Sequence, residues 1–155
     1  MKLIALSSTA LLCAIAFVGF DAESSVEAQP RAAKPGTKVV LGQSQFGRIL
    51  FNAGSQAIYM FDIETSKKPQ CYGACAKAWP PVYAKGKPRL GPGLKRSLLG
   101  TTRRSDGRGQ ITYGGHPLYY YAHEGPDQVL CHNVVEFGGT WLALRRSGKP
   151  VPPHG

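Results

Sequence analysis

Three cysteines in the body of the chain could form a disulfide or bind a metal. Cys71 and Cys75 are four residues apart, which is close enough for a disulfide if the chain between them makes a helical turn. Cys131 could instead pair with either of them and close a long loop. Residues 1–20 have the form of a secretory signal, and an exported chain meets oxidising conditions, so a disulfide is the first expectation. The odd count leaves one thiol over, and the sequence does not identify it.

The same thiols, together with three histidines, form an alternative metal hypothesis. Cys131 and His132 are adjacent and could supply soft ligands to Cu(I) or zinc, whereas neutral imidazoles such as those of His116 and His123 suit Cu(II) or zinc. The spacing matches no recognised zinc pattern, and the chain has no CxxCH for covalent haem. We therefore expect no cofactor and keep a copper or zinc ion as the alternative.

Two glutamates could act as an acid and base pair, as in glycoside hydrolysis. Glu64 and Glu124 occupy equivalent places in a repeat, however, which favours a repeated structural role in which each carboxylate accepts backbone or tyrosine hydrogen bonds. The chain has no recognisable Ser-His-Asp set, phosphate-binding loop or dinucleotide fingerprint. The sequence therefore predicts that the protein is not an enzyme.

The repeat appears when the chain is aligned with itself at an offset of 60 residues. The stretch GGHPLYYY at 114–121 then falls on GSQAIYMF at 54–61. The identical pairs are Gly47 and Gly107, Arg48 and Arg108, Gly54 and Gly114, Tyr59 and Tyr119, Glu64 and Glu124, and Cys71 and Cys131. With a slip of two residues, Trp79 aligns with Trp141. A tandem duplication follows, so each feature of one half can be compared with its equivalent in the other.

Short apolar runs separated by Gly, Pro, Asn or Ser predict an all-β fold. Turn residues at 52–55 and 114–115 lie between such runs, so each repeat is predicted to be based on a β-hairpin. Strand alternation places Tyr59 with Phe61, and Tyr119 with Tyr121, on inward faces and leaves Tyr120 more exposed. The segment 72–79 lacks alternation and predicts a short helical turn ended by a proline pair.

Three stretches resemble a known family of small exported bacterial proteins, described as secreted repeats or predicted lipoproteins with a Yx(FWY)xxD motif. Residues 59–64 and 119–124 resemble that motif, and residues 71–81 resemble the family signature CxGxCAxxWPP. The similarity extends over about residues 42–145. The resemblance implies tandem repeats and a bacterial envelope location, and it brings no established reaction. The chain departs from the family pattern in having Glu for the motif Asp, in Cys131, and in lacking a convincing lipidation site.

The ends of the chain indicate export. Residues 1–20 have one lysine followed by an apolar run, and Val26-Glu27-Ala28 fits the small-residue cleavage rule. Leu12 before Cys13 argues against a lipid-modified cysteine. The predicted organisation is a signal peptide at 1–28, a flexible leader at 29–38, a two-repeat domain at 39–150 with repeat cores at about 46–83 and 106–145, and a tail at 151–155.

The formal net charge is +10, and removal of residues 1–28, which hold one lysine and three acids, raises it further. Residues 84–105 carry seven basic residues and no acidic one, and we expect an exposed loop anchored by Ser97-Leu98-Leu99-Gly100. Outside the cell such charge suits anionic envelope material or an acidic partner rather than nucleic acid. The sequence predicts an envelope or periplasmic binding or structural module without a membrane span in the mature chain. A metal-binding or thiol-redox protein is the alternative.

Overall fold

The computed structural model describes residues 36–153, so the predicted signal peptide and most of the predicted leader lie outside the described residues. Nine strands and one helix are assigned within that range. They are β1 (Lys38–Ser44), β2 (Gly47–Asn52), β3 (Tyr59–Phe61), α1 (Ala74–Ala78), β4 (Arg89–Leu90), β5 (Leu99–Arg103), β6 (Gly109–Tyr113), β7 (His116–Pro117), β8 (Val134–Glu136) and β9 (Gly139–Ala143). The predictions of an all-β fold and of a short helical turn near 72–79 are confirmed.

The strands form three small sheets of three strands each. Their orders are β2-β1-β4, β3-β9-β8 and β5-β6-β7. Every pairing within them is antiparallel except the short parallel pairing of β1 with β4. Isolated bridges join the sheets: Tyr59 pairs with Tyr119, and Ile49 pairs with Arg145. The described domain contains no helix long and apolar enough to cross a membrane.

Both predicted hairpins are present. In the first, Phe51 bridges Ala57 and the Ile58 N–H donates to the Leu50 carbonyl at 3.0 Å. In the second, β6 pairs with β7 across Gly114 and Gly115, whose φ angles of 61° and 90° lie in the left-handed region that favours glycine. The first turn is one residue longer and places Ser55 rather than a glycine at positive φ, 62°.

The central strands are buried on both faces because a core lies on each side of them. Along residues 58–61, which include β3, Ile58 and Met60 pack in one cluster, here called the second core, whereas Tyr59 and Phe61 pack in the other, the first core. This arrangement corrects the prediction for the tyrosine run. Tyr120 is not exposed but half-buried against the second core, and Tyr121 is only partly buried beside the first.

The basic stretch 84–105 is more ordered than predicted. It contributes β4, a 3-10 turn at Arg96–Leu98, and β5, which pairs with β6 along its length. Leu98 and Leu99 pack against the second core, as expected for an apolar anchor. The prediction that this stretch is exposed is wrong for Arg104, which is 3% exposed.

The ordered domain also extends past its predicted bounds at both ends. Lys38, assigned to the leader, begins β1, and the Thr37 N–H donates to the Lys85 carbonyl at 2.9 Å. Val151, assigned to the tail, is buried, and its N–H donates to the Ala143 carbonyl at 2.8 Å. Burial and backbone hydrogen bonding fix both segments, although neither carries strand alternation in the sequence.

Candidate functional site

The two family-like motifs meet where the repeats join. The Tyr59 N–H donates to the Tyr119 carbonyl at 2.9 Å, and the Tyr119 N–H donates to the Tyr59 carbonyl at 3.0 Å. Such a pair, in which two residues exchange both backbone hydrogen bonds, is locally two-fold symmetric. Equivalent positions of the two repeats are therefore related by a pseudo-two-fold axis at this bridge.

Each motif tyrosine donates to the motif glutamate of the other repeat. The Tyr59 hydroxyl lies 2.7 Å from Glu124 Oε1, and the Tyr119 hydroxyl lies 2.6 Å from Glu64 Oε1. Both tyrosines are fully buried, and the two glutamates are 1% and 5% exposed. The tyrosine and the glutamate of one motif therefore do not pair with each other, and each takes part in a different contact with the other repeat.

The same carboxylates hold the loops that follow them. Glu64 Oε1 accepts from the N–H of Gln70 at 2.6 Å and from that of Cys71 at 3.3 Å. Glu124 Oε1 accepts from the N–H of Leu130, at the equivalent place in the second repeat. A carboxylate that accepts backbone and tyrosine hydrogen bonds is what the repeated placement predicted. Each glutamate therefore organises the loop that follows it.

Burial dominates the titration of these groups. Removal from water raises the pKa of Glu64 and Glu124, because it penalises the charged form. The hydrogen bonds from the backbone and the tyrosines act in the opposite direction and favour the carboxylate. Burial, reinforced by the facing glutamates, also raises the pKa of Tyr59 and Tyr119, so both phenols stay protonated and act as donors.

The remaining motif residues form one aromatic stack across the junction. Phe61 stacks on Trp141 with ring centroids 4.2 Å apart, Trp141 stacks on Trp79 at 3.9 Å, and Trp79 contacts Tyr121 at 4.8 Å. Both indole N–H groups donate to Glu136, one to the carboxylate at 2.8 Å and one to the carbonyl at 3.3 Å. The third residue of each motif therefore also packs against the tryptophan of the other repeat.

The cysteines do not assemble into one thiol site. Cys71 and Cys75 form a disulfide, whereas Cys131 is a free, buried cysteine, so the pairings that involve Cys131 are not formed. Burial raises the pKa of the Cys131 thiol to about 11, and the nearby carboxylates of Glu124 and Glu136 add to the shift. At neutral pH this thiol is protonated, and the protonated form is a poor nucleophile and metal ligand.

The three histidine candidates lie in separate places. His132 Nε2 is 3.0 Å from the Pro152 carbonyl, and its Nδ1 accepts from the Ala143 N–H at 3.3 Å. His123 is exposed and contacts the Tyr121 ring, while half-burial lowers the pKa of His116. Within residues 36–153, no three His, Cys, Asp or Glu side chains are grouped closely enough to hold a metal ion.

Two functional contacts were missed by the sequence reasoning. Arg104 donates to Gln110 Oε1 at 2.6 Å and to the Cys71 carbonyl, and its charge lowers the pKa of Glu64 against the effect of burial. Glu136 accepts a hydrogen bond from each tryptophan indole. Strand alternation gave no signal for Gln110, because all residues from Gln110 to Tyr113 are buried in β6. Arg104 lies in a run of basic residues that looks uniformly exposed.

Residues 100–145 match the model of a family described as a secreted repeat of unknown function. The match covers β5 partly, β6 to β9, and the whole second motif, and it confirms the family resemblance for that segment. No curated protein and no solved structure matched the chain in the comparisons. The family description supports an exported protein, and the disulfide within the first repeat agrees with an oxidising location.

Proposed function

We propose that this exported domain is a non-catalytic binding module of the periplasm or cell envelope, whose basic surface holds anionic envelope material. The observation that carries the proposal is the separation of charge within the described domain. Five of its six acidic side chains are engaged in hydrogen bonds or an ion pair, whereas most of its basic side chains extend into solvent.

Six acidic residues lie within residues 36–153, and five of them have hydrogen-bonded partners. Glu64, Glu124 and Glu136 serve the repeat junction. Asp62 accepts from the Thr140 N–H at 2.7 Å, and Asp106 forms an ion pair with Arg108 at 2.7 Å. These carboxylates leave most of the surface basic residues without a neutralising neighbour.

The exposed basic residues come from distant parts of the chain. They include Lys85, Lys87, Arg89, Lys95, Arg96, Arg103, Arg145, Arg146 and Lys149. Among the described residues, the Arg108–Asp106 contact is the one salt bridge. The surface potential in this part of the chain is therefore strongly positive, and it attracts anionic surfaces over about a Debye length.

One hydroxyl brings two of these basic segments together. The Tyr113 hydroxyl accepts from the Lys95 N–H at 3.0 Å and donates to the Arg146 carbonyl at 2.8 Å. Backbone packing of Gly114 against Gly148 fixes the same turn beside the second hairpin. We define the basic patch as Lys95, Arg96, Arg145, Arg146 and Lys149. It combines the tract predicted from the sequence with a turn 50 residues further along the chain.

The test is cosedimentation with vesicles that contain phosphatidylglycerol. Near an anionic surface each basic residue contributes about 1 kcal/mol, so a triple change of Lys95, Arg96 and Arg146 to Gln is expected to weaken attachment about 100-fold. A matched triple change of Lys67, Lys68 and Lys77, which are exposed and outside the patch, controls for net charge and should have a smaller effect.

The salt dependence of attachment distinguishes electrostatic binding from a charge that only keeps the protein soluble. Attachment should fall steeply as the screening length shortens from about 30 Å at 0.01 M to about 8 Å at 0.15 M salt. Attachment that is equal at both ionic strengths, or equal losses in the two triple variants, would refute the role of the basic patch.

The metal or thiol-redox alternative receives less support. Two of its three thiols are joined in the disulfide, and the third is buried with a raised pKa. No observation at these residues favours that function over the binding module.

A further inference from the structure

A groove of about 250 Å³ lies beside the first hairpin. Its lining includes Lys38, Val40 and Gly42 of β1, Phe51 of β2, the turn residue Ser55, and Asp127 from the loop after the second motif. This volume falls just below the range of about 300 to 1,000 Å³ that is usual for drug-sized ligands. The groove therefore suits a molecule the size of an amino acid or a dipeptide.

A glycine allows an aromatic ring to pack against β1 beside the groove. A Cβ atom built on Gly42 would lie 2.5 Å from Phe51 Cδ2, which is closer than real side chains pack. Gly42 therefore allows the Phe51 ring, which is 4% exposed, to lie directly against β1, and this ring and the half-buried Val40 form the apolar part of the lining. A larger residue at position 42 would displace the ring.

Two opposite charges line the same groove without pairing. Lys38 and Asp127 form no salt bridge with each other or with another residue of the described domain. Asp127 is also the one acidic residue within residues 36–153 whose carboxylate accepts no hydrogen bond there, since the other five are engaged. An ammonium and a carboxylate on one ligand would complement this pair.

The backbone that carries the aspartate is held in an uncommon conformation. Ser55 and Asp127 both have positive φ, 62° and 59°, and the Asp127 N–H donates to the Ser55 carbonyl at 2.8 Å. A left-handed conformation is unfavourable for a residue that has a side chain. Two of the four non-glycine residues with positive φ in the described chain therefore meet at this rim, where strain is typical of binding sites.

We propose that the groove binds a small zwitterion, a free amino acid or a dipeptide. Its ammonium group faces Asp127, its carboxylate faces Lys38, and its apolar side chain rests against Val40 and Phe51. This binding is independent of the basic patch. A zwitterion carries no net charge, so its affinity changes little with salt.

The experiment is an NMR titration of the ¹⁵N-labelled protein with glycine, leucine and the dipeptide Leu-Leu. Leucine and Leu-Leu are expected to bind with a Kd between about 0.1 and 1 mM, and glycine more weakly because it lacks the apolar contact. The amide resonances that shift should be those of residues 38–43, 51–55 and 127. N-acetyl-leucine and leucine amide, each of which lacks one charge, should bind about tenfold more weakly.

Variants assign the two charges. Asp127→Asn should weaken the binding of leucine about tenfold and leave the binding of N-acetyl-leucine unaffected. Lys38→Gln should likewise weaken the binding of leucine about tenfold and leave the binding of leucine amide unaffected. Asp106→Asn and Lys85→Gln are controls, because both residues are exposed and outside the groove. No shifts at about 10 mM leucine, or equal binding of leucine and its two blocked forms, would overturn the proposal.

Discussion

The reciprocal tyrosine contacts predict an unequal effect of two equivalent substitutions. Tyr59→Phe and Tyr119→Phe each remove one hydroxyl and leave the buried ring in place. Without Tyr119, Glu64 Oε1 still accepts from the N–H groups of Gln70 and Cys71. Without Tyr59, Glu124 Oε1 keeps the Leu130 N–H, and the Cys131 N–H loses the hydroxyl that accepts from it at 3.4 Å. Tyr59→Phe should therefore be the more destabilising change.

The expected losses follow from the hydrogen bonds removed. A hydrogen bond to a charged group contributes about 1.5 to 3 kcal/mol, so Tyr119→Phe should lower the unfolding free energy by about 2 kcal/mol. For Tyr59→Phe, the Cys131 N–H also loses the hydroxyl, which adds about 1 kcal/mol and gives a total loss of about 3 kcal/mol. The added cost is at the lower end of the range for a buried donor because this hydrogen bond is long. At about 4 °C per kcal/mol, the midpoints should fall by about 8 °C and 12 °C.

Thermal unfolding followed by tryptophan fluorescence measures both losses, because Trp79 and Trp141 lie in the stack beside these tyrosines. Tyr83→Phe is the matched control. Its ring lies under the Arg108 guanidinium, and its hydroxyl has no hydrogen-bond partner among the described residues, so the change should cost less than about 0.5 kcal/mol. Losses for Tyr59→Phe and Tyr119→Phe no larger than that of the control, or a larger loss for Tyr119→Phe, would refute the reasoning.

Three further predictions concern buried groups. Arg104→Lys should lower the unfolding free energy, measured in urea, by about 2 to 3 kcal/mol, because Lys cannot reproduce the forked contacts to Gln110 and Cys71. Arg103 is exposed, so the control variant Arg103→Lys should change stability by less than about 0.5 kcal/mol. Equal effects of the two changes would contradict the buried role of Arg104. Burial raises the pKa of Glu124, so the folded state binds this proton more tightly than the unfolded chain, in which Glu titrates near about 4.3. The unfolding free energy of the natural chain should therefore fall, relative to that of Glu124→Gln, as pH rises from about 4 through the raised pKa. If the two proteins instead show parallel curves of stability against pH across that range, the pKa of Glu124 does not change on folding. In the exported protein, a thiol reagent should detect no reactive cysteine in the native state, one after denaturation, and three after denaturation with reduction. The reason is that Cys131 is buried and the Cys71–Cys75 pair is oxidised. Fast labelling of the native protein would contradict the burial of Cys131.

Local patterns were sufficient to predict much of the architecture. Strand alternation and turn residues gave the two hairpins, the interrupted pattern at 72–79 gave α1, and the 60-residue offset identified the residues that meet at the junction. These features depend on neighbours in the sequence or on equivalence between repeats. Both kinds of information are readable in a single chain.

The failures have a common physical origin in long-range packing. Tyr120 looked exposed because alternation assigns one buried face to a strand, and here a second core covers the other face. Arg104 looked solvated because its partners, Gln110 and the Cys71 carbonyl, are brought to it by the fold. The cross-repeat pairing of Tyr59 with Glu124 could not be distinguished from pairing within a repeat, since both satisfy the same sequence pattern.

The pseudo-two-fold bridge at Tyr59 and Tyr119 gives one chain the geometry of an isologous homodimer. A true homodimer must carry any substitution twice, whereas covalently linked halves can diverge at one copy while the shared contact is kept. The domain shows such divergence at the positions 60 residues apart that hold Cys75 and Val135. One closes a buried disulfide, and the other is 77% exposed on an edge strand. Linkage also makes association of the halves independent of protein concentration, so each half was free to specialise without losing its partner.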